Sequence, residues 1–148
     1  PFLLHVRVGP ADARVATALQ VPKGHPVASL RRLRTLDDAP VVIAEDWIDA
    51  DKVPNFVALD WGGAVQSLYE ELTRRYGLVP QRGETVLSAR LADSEEALLL
   101  DIEPPGAVLV VEQIAYDAAA RPINLTLAIQ HPARYPLRLE QGSADASK

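Results

Sequence analysis

The chain has 148 residues, 48% hydrophobic and 24% charged, a globular mix of a size that fits one domain. It contains no cysteine, which excludes disulfides, thiolate metal sites and cysteine nucleophiles. Its net charge is −5, and Arg31, Arg32 and Arg34 form its one dense basic cluster, followed by acids at Asp37 and Asp38, so a surface that holds DNA directly is not expected.

The start, Pro1 to His5, lacks the basic stretch and cleavage site of a signal peptide, and no apolar run approaches the length of a membrane span. A soluble cytoplasmic protein with no membrane partner is the expectation. The chain begins at proline and has no methionine, which predicts a missing N-terminal portion.

Pro10-Ala11-Asp12 opens a short helical stretch with Val15, Ala16 and Leu19 on one face, ended by Val21-Pro22-Lys23-Gly24. Residues 26 to 35 and Val41 to Ile48 read as two strands of a hairpin about Asp37-Asp38-Ala39-Pro40. Asp49 to Phe56 reads as a loop. Residues 64 to 76 carry apolar side chains at helical spacing (Val65, Leu68, Tyr69, Leu72, Tyr76), with Gly77 as the C-terminal cap.

Val86 to Leu91 reads as a strand, and Asp93-Ser94-Glu95-Glu96 as the capped start of a helix through Ala97 to Leu100. Val108 to Tyr116 is a β-rich run. Beyond the turn at Asp117 to Arg121, Ile123, Leu125, Leu127 and Ile129 alternate with Asn124, Thr126, Ala128 and Gln130, giving a strand with one apolar and one polar face. Tyr135 to Leu139 reads as a last strand, and 141–148 as a disordered tail. Hairpin-linked strands interspersed with helices predict an α+β fold with a mainly antiparallel sheet.

Four segments, in order, resemble the UTRA domain, the effector domain of the HutC-type branch of the GntR regulator family. They are Ala18 to Gly24; Leu30 to Arg34 with Ala39-Pro40-Val41 and Glu45; Ser67-Leu68-Tyr69 with Leu72 and Tyr76-Gly77; and Asp117 to Ile123 with Arg134-Tyr135. The resemblance implies a UTRA-like domain over 1–140 with a chorismate-lyase-like fold: a curved antiparallel sheet, flanking helices and a small-molecule pocket. It also implies a winged helix-turn-helix domain upstream, absent from this chain, that binds operator DNA as a homodimer. The implied effector is a small anionic metabolite, a phosphosugar or a carboxylate, whose binding shifts the DNA-competent population. No cofactor and no metal are implied.

Arg32 and Arg34, two apart on a strand, project from one face roughly 6–7 Å apart. Two guanidinium forks at that spacing can clasp a phosphate or carboxylate. The pair also fits a solvated face with surface ion pairs, and the resemblance favours the pocket. A two-residue turn at Asp38-Ala39 would set Glu45 opposite Arg32, either as an acceptor for ligand hydroxyls or as a cross-strand ion pair.

Ser67 lies at the start of the central helix, where amides and a hydroxyl suit an anion; a local backbone bond is its other reading. Tyr69 is either a ligand contact or a core aromatic. Asn124 occupies a position where sugar-phosphate sensors of the family commonly carry glutamate, and Ala133 replaces an acid that usually precedes the Arg-Tyr pair. Trp61 reads as packing, and Trp47 fits either packing or a stacking platform.

The alternatives are a lyase and a dimerisation module with a vestigial pocket. His5, His25 and His131 are scattered without metal-ligand spacing, Ser67 has no adjacent base, and no Gly-x-Ser-x-Gly elbow exists, so no enzyme is expected. Glu95-Glu96 reads as charge at a helix start.

Overall fold

Asp37 and Asp38 both take left-handed backbone angles, φ 51° and 63°. Such angles at two central residues make the tight turn that matches strand twist, and Asp tolerates them where Ala does not. The turn therefore sits one residue earlier than the sequence pattern suggests, joining β2 (Pro26–Leu36) to β3 (Ala39–Asp49). Arg34 pairs with Val42 but Thr35 with Pro40, so Val41 is left over as a bulge.

The computed structural model describes residues 2–63, 65 and 67–142. Its further strands are β1 (Phe2–Pro10), β4 (Arg82–Leu91), β5 (Ala107–Tyr116) and β6 (Pro122–Gln130). All pair antiparallel in one six-stranded sheet of order β1-β2-β3-β6-β5-β4. The helices are α1 (Ala13–Leu19), α2 (Leu68–Tyr76) and α3 (Ser94–Leu100), with single 3-10 turns at Ala50–Lys52 and Phe56–Ala58. No helix among the described residues is long and apolar enough to cross a membrane.

Alternation along the strands divides the core between two faces. Val27 and Leu125 bury against Val15, Ala16 and Leu19 of α1, while Ile43, Val108 and Ile129 meet Leu100 of α3. On the opposite face Ala28, Leu30 and Ile48 pack beneath a roof of Val53, Phe56, Trp61, Leu68 and Leu72. Trp61 anchors that roof: its ring lies 4.6 Å from Phe56 and its indole N–H donates to the Phe56 carbonyl at 2.8 Å.

The caps follow the residues. Asp93 and Glu96 form the reciprocal capping box expected for α3, and Glu96 also takes a two-pronged ion pair from Arg90. Gly77 closes α2 in the left-handed region at φ 67°.

Two expectations are corrected and one element is added. Phe2–Pro10, to which no element was assigned, forms an edge strand. The helix expected over 64–76 is described from Leu68, because Ser67 caps it; residues 64 and 66 lie outside the described residues. Residues 135 to 139 form no strand: Pro132 and Pro136 interrupt the segment, and proline cannot donate to a ladder. Of the tail expected to be disordered, 143–148 lie outside the described residues.

Candidate functional site

The roof stops partway along the sheet. Register carries the roofed face onward from Ala28 and Leu30 to Arg32 and Arg34, and from Ile48 to Asp46, Ala44 and Val42. The next strand continues it with Thr126 opposite Asp46, Ala128 opposite Ala44 and Gln130 opposite Val42. Ala44 and Ala128 sit side by side, and their small side chains leave depth in the floor.

Here the sheet, the start of α2 and Tyr135 enclose a cavity of about 450 Å³. That is within the usual range for small-molecule pockets. Its lining includes Arg32, Arg34, Asp46, Ser67, Tyr69, Gln113, Thr126 and Gln130.

Charge is unevenly placed around it. Arg32 is 1% exposed. Burial, then the neighbouring Arg34, push its guanidinium below the ordinary value, and Asp46 opposes that shift. Two cations on one wall favour an anion between them. Ser67 caps α2, its hydroxyl accepting from the Glu70 amide at 3.3 Å. The first amides of a helix have no intrahelical partner, and Leu68 and Tyr69 line the cavity at that end.

A polar network joins three lining residues, Asp46, Thr126 and Tyr69, to the buried Asn124 behind them. Asp46 Oδ1 accepts from Asn124 Nδ2 at 3.0 Å and from Thr126 Oγ1 at 2.5 Å. The Tyr69 hydroxyl donates to Asn124 Oδ1 at 3.2 Å. Asn124 is therefore used as an amide at both ends, donor to a carboxylate and acceptor from a phenol. A glutamate there would set a second carboxylate against Asp46. Gln130 Oε1 is buried beside the cavity without a hydrogen bond, an acceptor suited to a ligand hydroxyl or amine.

Burial raises the pKa of Asp46 above its ordinary 3.8, against the hydrogen bonds and arginines that lower it. The folded chain thus binds this proton more readily than the unfolded chain. The associated stability is full below about pH 3.8 and is lost as pH rises through the folded-state value. Asp46→Asn keeps an oxygen acceptor and removes the titration. Urea unfolding of both proteins should show the wild-type-minus-variant stability falling as pH rises from about 4. Carboxylates stabilised by ion pairs, such as Glu96, cancel in that difference. A difference that is flat or rises would refute the assignment.

Four of the predicted residues, Arg32, Arg34, Ser67 and Tyr69, line the cavity; Asn124 stands behind it, through its bonds to Tyr69 and Asp46. Glu45 is a correction. Arg31, not Arg32, pairs across from it, because the earlier turn and the bulge shift the register by one residue. Glu45 therefore lies on the opposite face, with His5 at 3.3 Å and Arg31 at 3.6 Å; Arg31 reaches Glu95 of α3 at 2.7 Å. Trp47 shares that face, packed near α1 with the Arg14 guanidinium 5.3 Å above its ring.

Asp46, Gln113, Thr126, Gln130 and Tyr135 were not singled out from sequence. The signal for Thr126 and Gln130 was present in the polar face of β6. His25 and Asp49, 2.8 Å apart, form a pair with Asp51 close by, remote from the cavity lining.

A family model, the UTRA domain, matches residues 3–136. The HTH-type transcriptional regulator GgaR of Escherichia coli K12 is 31% identical over 122 residues, covering 82% of this chain and 47% of that protein. The chain thus spans about half the length of such relatives. The ligand-binding domain assigned to a GntR-family regulator of Bordetella bronchiseptica superposes with a TM-score of 0.89 at 26% identity, over 95% of this chain and 90% of that one. The effector domain of PhnF from Mycobacterium smegmatis gives 0.82 at 26%, over 90% and 80%.

Proposed function

The chain belongs to the UTRA domain family, and from that premise we propose that its cavity is the effector site of a GntR-type transcription regulator. The effector is a small metabolite with a phosphate or carboxylate group. Its binding controls operator recognition by a winged helix-turn-helix domain outside this chain, and the regulator works as a homodimer in the cytoplasm.

The observation that carries this reading is the convergence of Arg32, Arg34 and the start of α2 on one cavity. The arginines and helix amides take the anion, while the uncharged acceptors and Asp46 face the rest of the molecule. Asp46 places a carboxyl group beside Asn124, 3.0 Å from its amide nitrogen. Ligands with hydroxyl or amine groups next to the anion therefore fit.

The reading is of a sensor, not an enzyme. His5, His25 and His131 are not among the lining residues, and the Ser67 hydroxyl is engaged as a helix cap. No base stands beside a nucleophile in that set.

A ligand that binds only the folded chain raises its melting temperature. Melting curves should be recorded against sugar phosphates, organic acids and amino-acid breakdown products. One class of anion is expected to stabilise by about 2.7 kcal/mol at a hundred times its dissociation constant. No shift from any anion, with the chain folded, would overturn the sensor reading and leave a dimerisation module.

A further inference from the structure

Away from the cavity, an imidazole and two carboxylates converge at one end of the sheet. His25 Nε2 lies 2.8 Å from Asp49 Oδ1 and 3.4 Å from Asp51 Oδ2, and the three side chains offer ligand atoms within 4.8 Å of one another. His25 directly precedes β2, Asp49 ends β3, and Asp51 lies in the 3-10 turn Ala50–Lys52. Along the chain 24 residues separate the imidazole from the first carboxylate, so no metal-ligand spacing shows in the sequence. Strand register brings them together, since Val27 pairs with Asp49.

An ion pair alone leaves this group out of balance. Two carboxylates face one imidazole, which even when protonated neutralises only one of them. Among the described residues, neither Asp49 nor Asp51 forms an ion pair with a lysine or arginine. A divalent cation matches both charges.

The frame is fixed by the fold. The His25 carbonyl accepts from the Ala11 amide at 2.8 Å, and the His25 amide donates to the Pro22 carbonyl at 3.0 Å. Asp49 Oδ1 also accepts from the Asp51 amide at 3.0 Å, the kind of outer contact that orients a metal-bound carboxylate. The His25 and Asp49 side chains are 20% and 16% exposed, whereas Asp51 is 72% exposed. Two ligands are thus held in place, and the third is free to adjust.

We propose that His25, Asp49 and Asp51 bind one divalent transition cation of the zinc class, with solvent at the fourth position. Ligands about 2.0–2.2 Å from a tetrahedral ion stand about 3.3–3.5 Å apart. The His25–Asp51 separation already fits, and the His25–Asp49 separation has to open by about half an ångström. Without metal, Nε2–H donates to Asp49. The ion takes the place of that proton, and the neutral ring carries its hydrogen on Nδ1. The imidazole nitrogen selects zinc over magnesium or calcium, which prefer oxygen ligands. The ion ties the loop after α1 to the turn that leads into Val53 and Phe56 of the roof. None of the three ligands lines the cavity, so this site is independent of the effector reading.

The untagged chain, freed of metal with a chelator, should be titrated with zinc chloride by calorimetry and melted with and without it. One zinc per chain and a raised melting temperature are expected, with no response to magnesium chloride at the same concentration. His25→Ala should abolish binding. Asp51→Asn, at an exposed position and of the same shape, should weaken it at least about tenfold, the smallest loss seen when even an outer contact of a metal site is removed. Arg34→Ala, in the cavity wall, should respond to zinc as the wild type does. No zinc binding by the folded chain, wild-type affinity in His25→Ala or Asp51→Asn, an equal response to magnesium, or loss of the response in Arg34→Ala overturns the site.

Discussion

Replacing Arg32 and Arg34 together by alanine is expected to abolish effector-induced stabilisation of this chain. Hydrogen bonds to charged groups contribute about 1.5–3 kcal/mol each, so losing two guanidinium contacts weakens binding by at least about a hundredfold. Arg32 is buried and its removal also perturbs the pocket wall, whereas Arg34 is exposed. Arg34→Ala alone is therefore the cleaner variant: its melting temperature without ligand should stay near wild type while affinity falls about tenfold or more. Isothermal titration with the anion found by melting separates the two effects. Undiminished affinity in the double variant would move the site off these arginines.

The largest loss of stability is expected at Trp61. It is 1% exposed, stacks at a tilt on Phe56 and donates to the Phe56 carbonyl. Truncating a buried Trp to alanine costs about 3–5 kcal/mol, a large share of the about 5–15 kcal/mol that folds a domain. The melting temperature should fall on the order of 10 °C.

The loss should not be confined to stability. Trp61 belongs to the roof that includes Leu68, the first residue of α2 and part of the cavity lining. Trp61→Ala should thus weaken effector binding as well. Leu100→Ala, fully buried on the opposite face, should cost about 2–5 kcal/mol and leave affinity unchanged below its melting range. Equal affinities for Trp61→Ala and wild type, both folded, would detach the roof from the site.

Much of this architecture was legible in the residues. Asp12, Asp93 and Gly77 cap helices where a short polar side chain or a free Cβ position is needed, and the strands show two-residue alternation. Arg32 and Arg34 were legible as a pair because their spacing fixes a common face. What the residues concealed was register. Moving the turn by one residue and adding the bulge at Val41 exchanges Glu45 for Asp46 at the cavity, since adjacent strand residues face opposite ways.

The polar side of β6 shows a second limit. Asn124, Thr126 and Gln130 have the composition of a solvent-facing strand, yet they form buried or half-buried walls of the cavity region. Sequence alternation separates the two faces of a sheet; it does not say which polar face meets water. The edge strand β1 did carry a legible signal, since Leu4, Val6 and Val8 alternate with His5, Arg7 and Gly9.

The cavity is proposed to hold an anion between the two arginines and the start of α2. The most direct test is a nitrogen-15 NMR titration of the chain with the stabilising anion, following backbone amides together with the arginine Nε signals. The predicted result is a saturable set of shifts at Arg32 and Arg34 Nε and at the Ser67, Leu68 and Tyr69 amides, smaller ones at Gln113 and Thr126, and none at Glu45 or Trp47. Saturable shifts centred on the Glu45 and Trp47 face, with the arginine Nε signals unmoved, would contradict it.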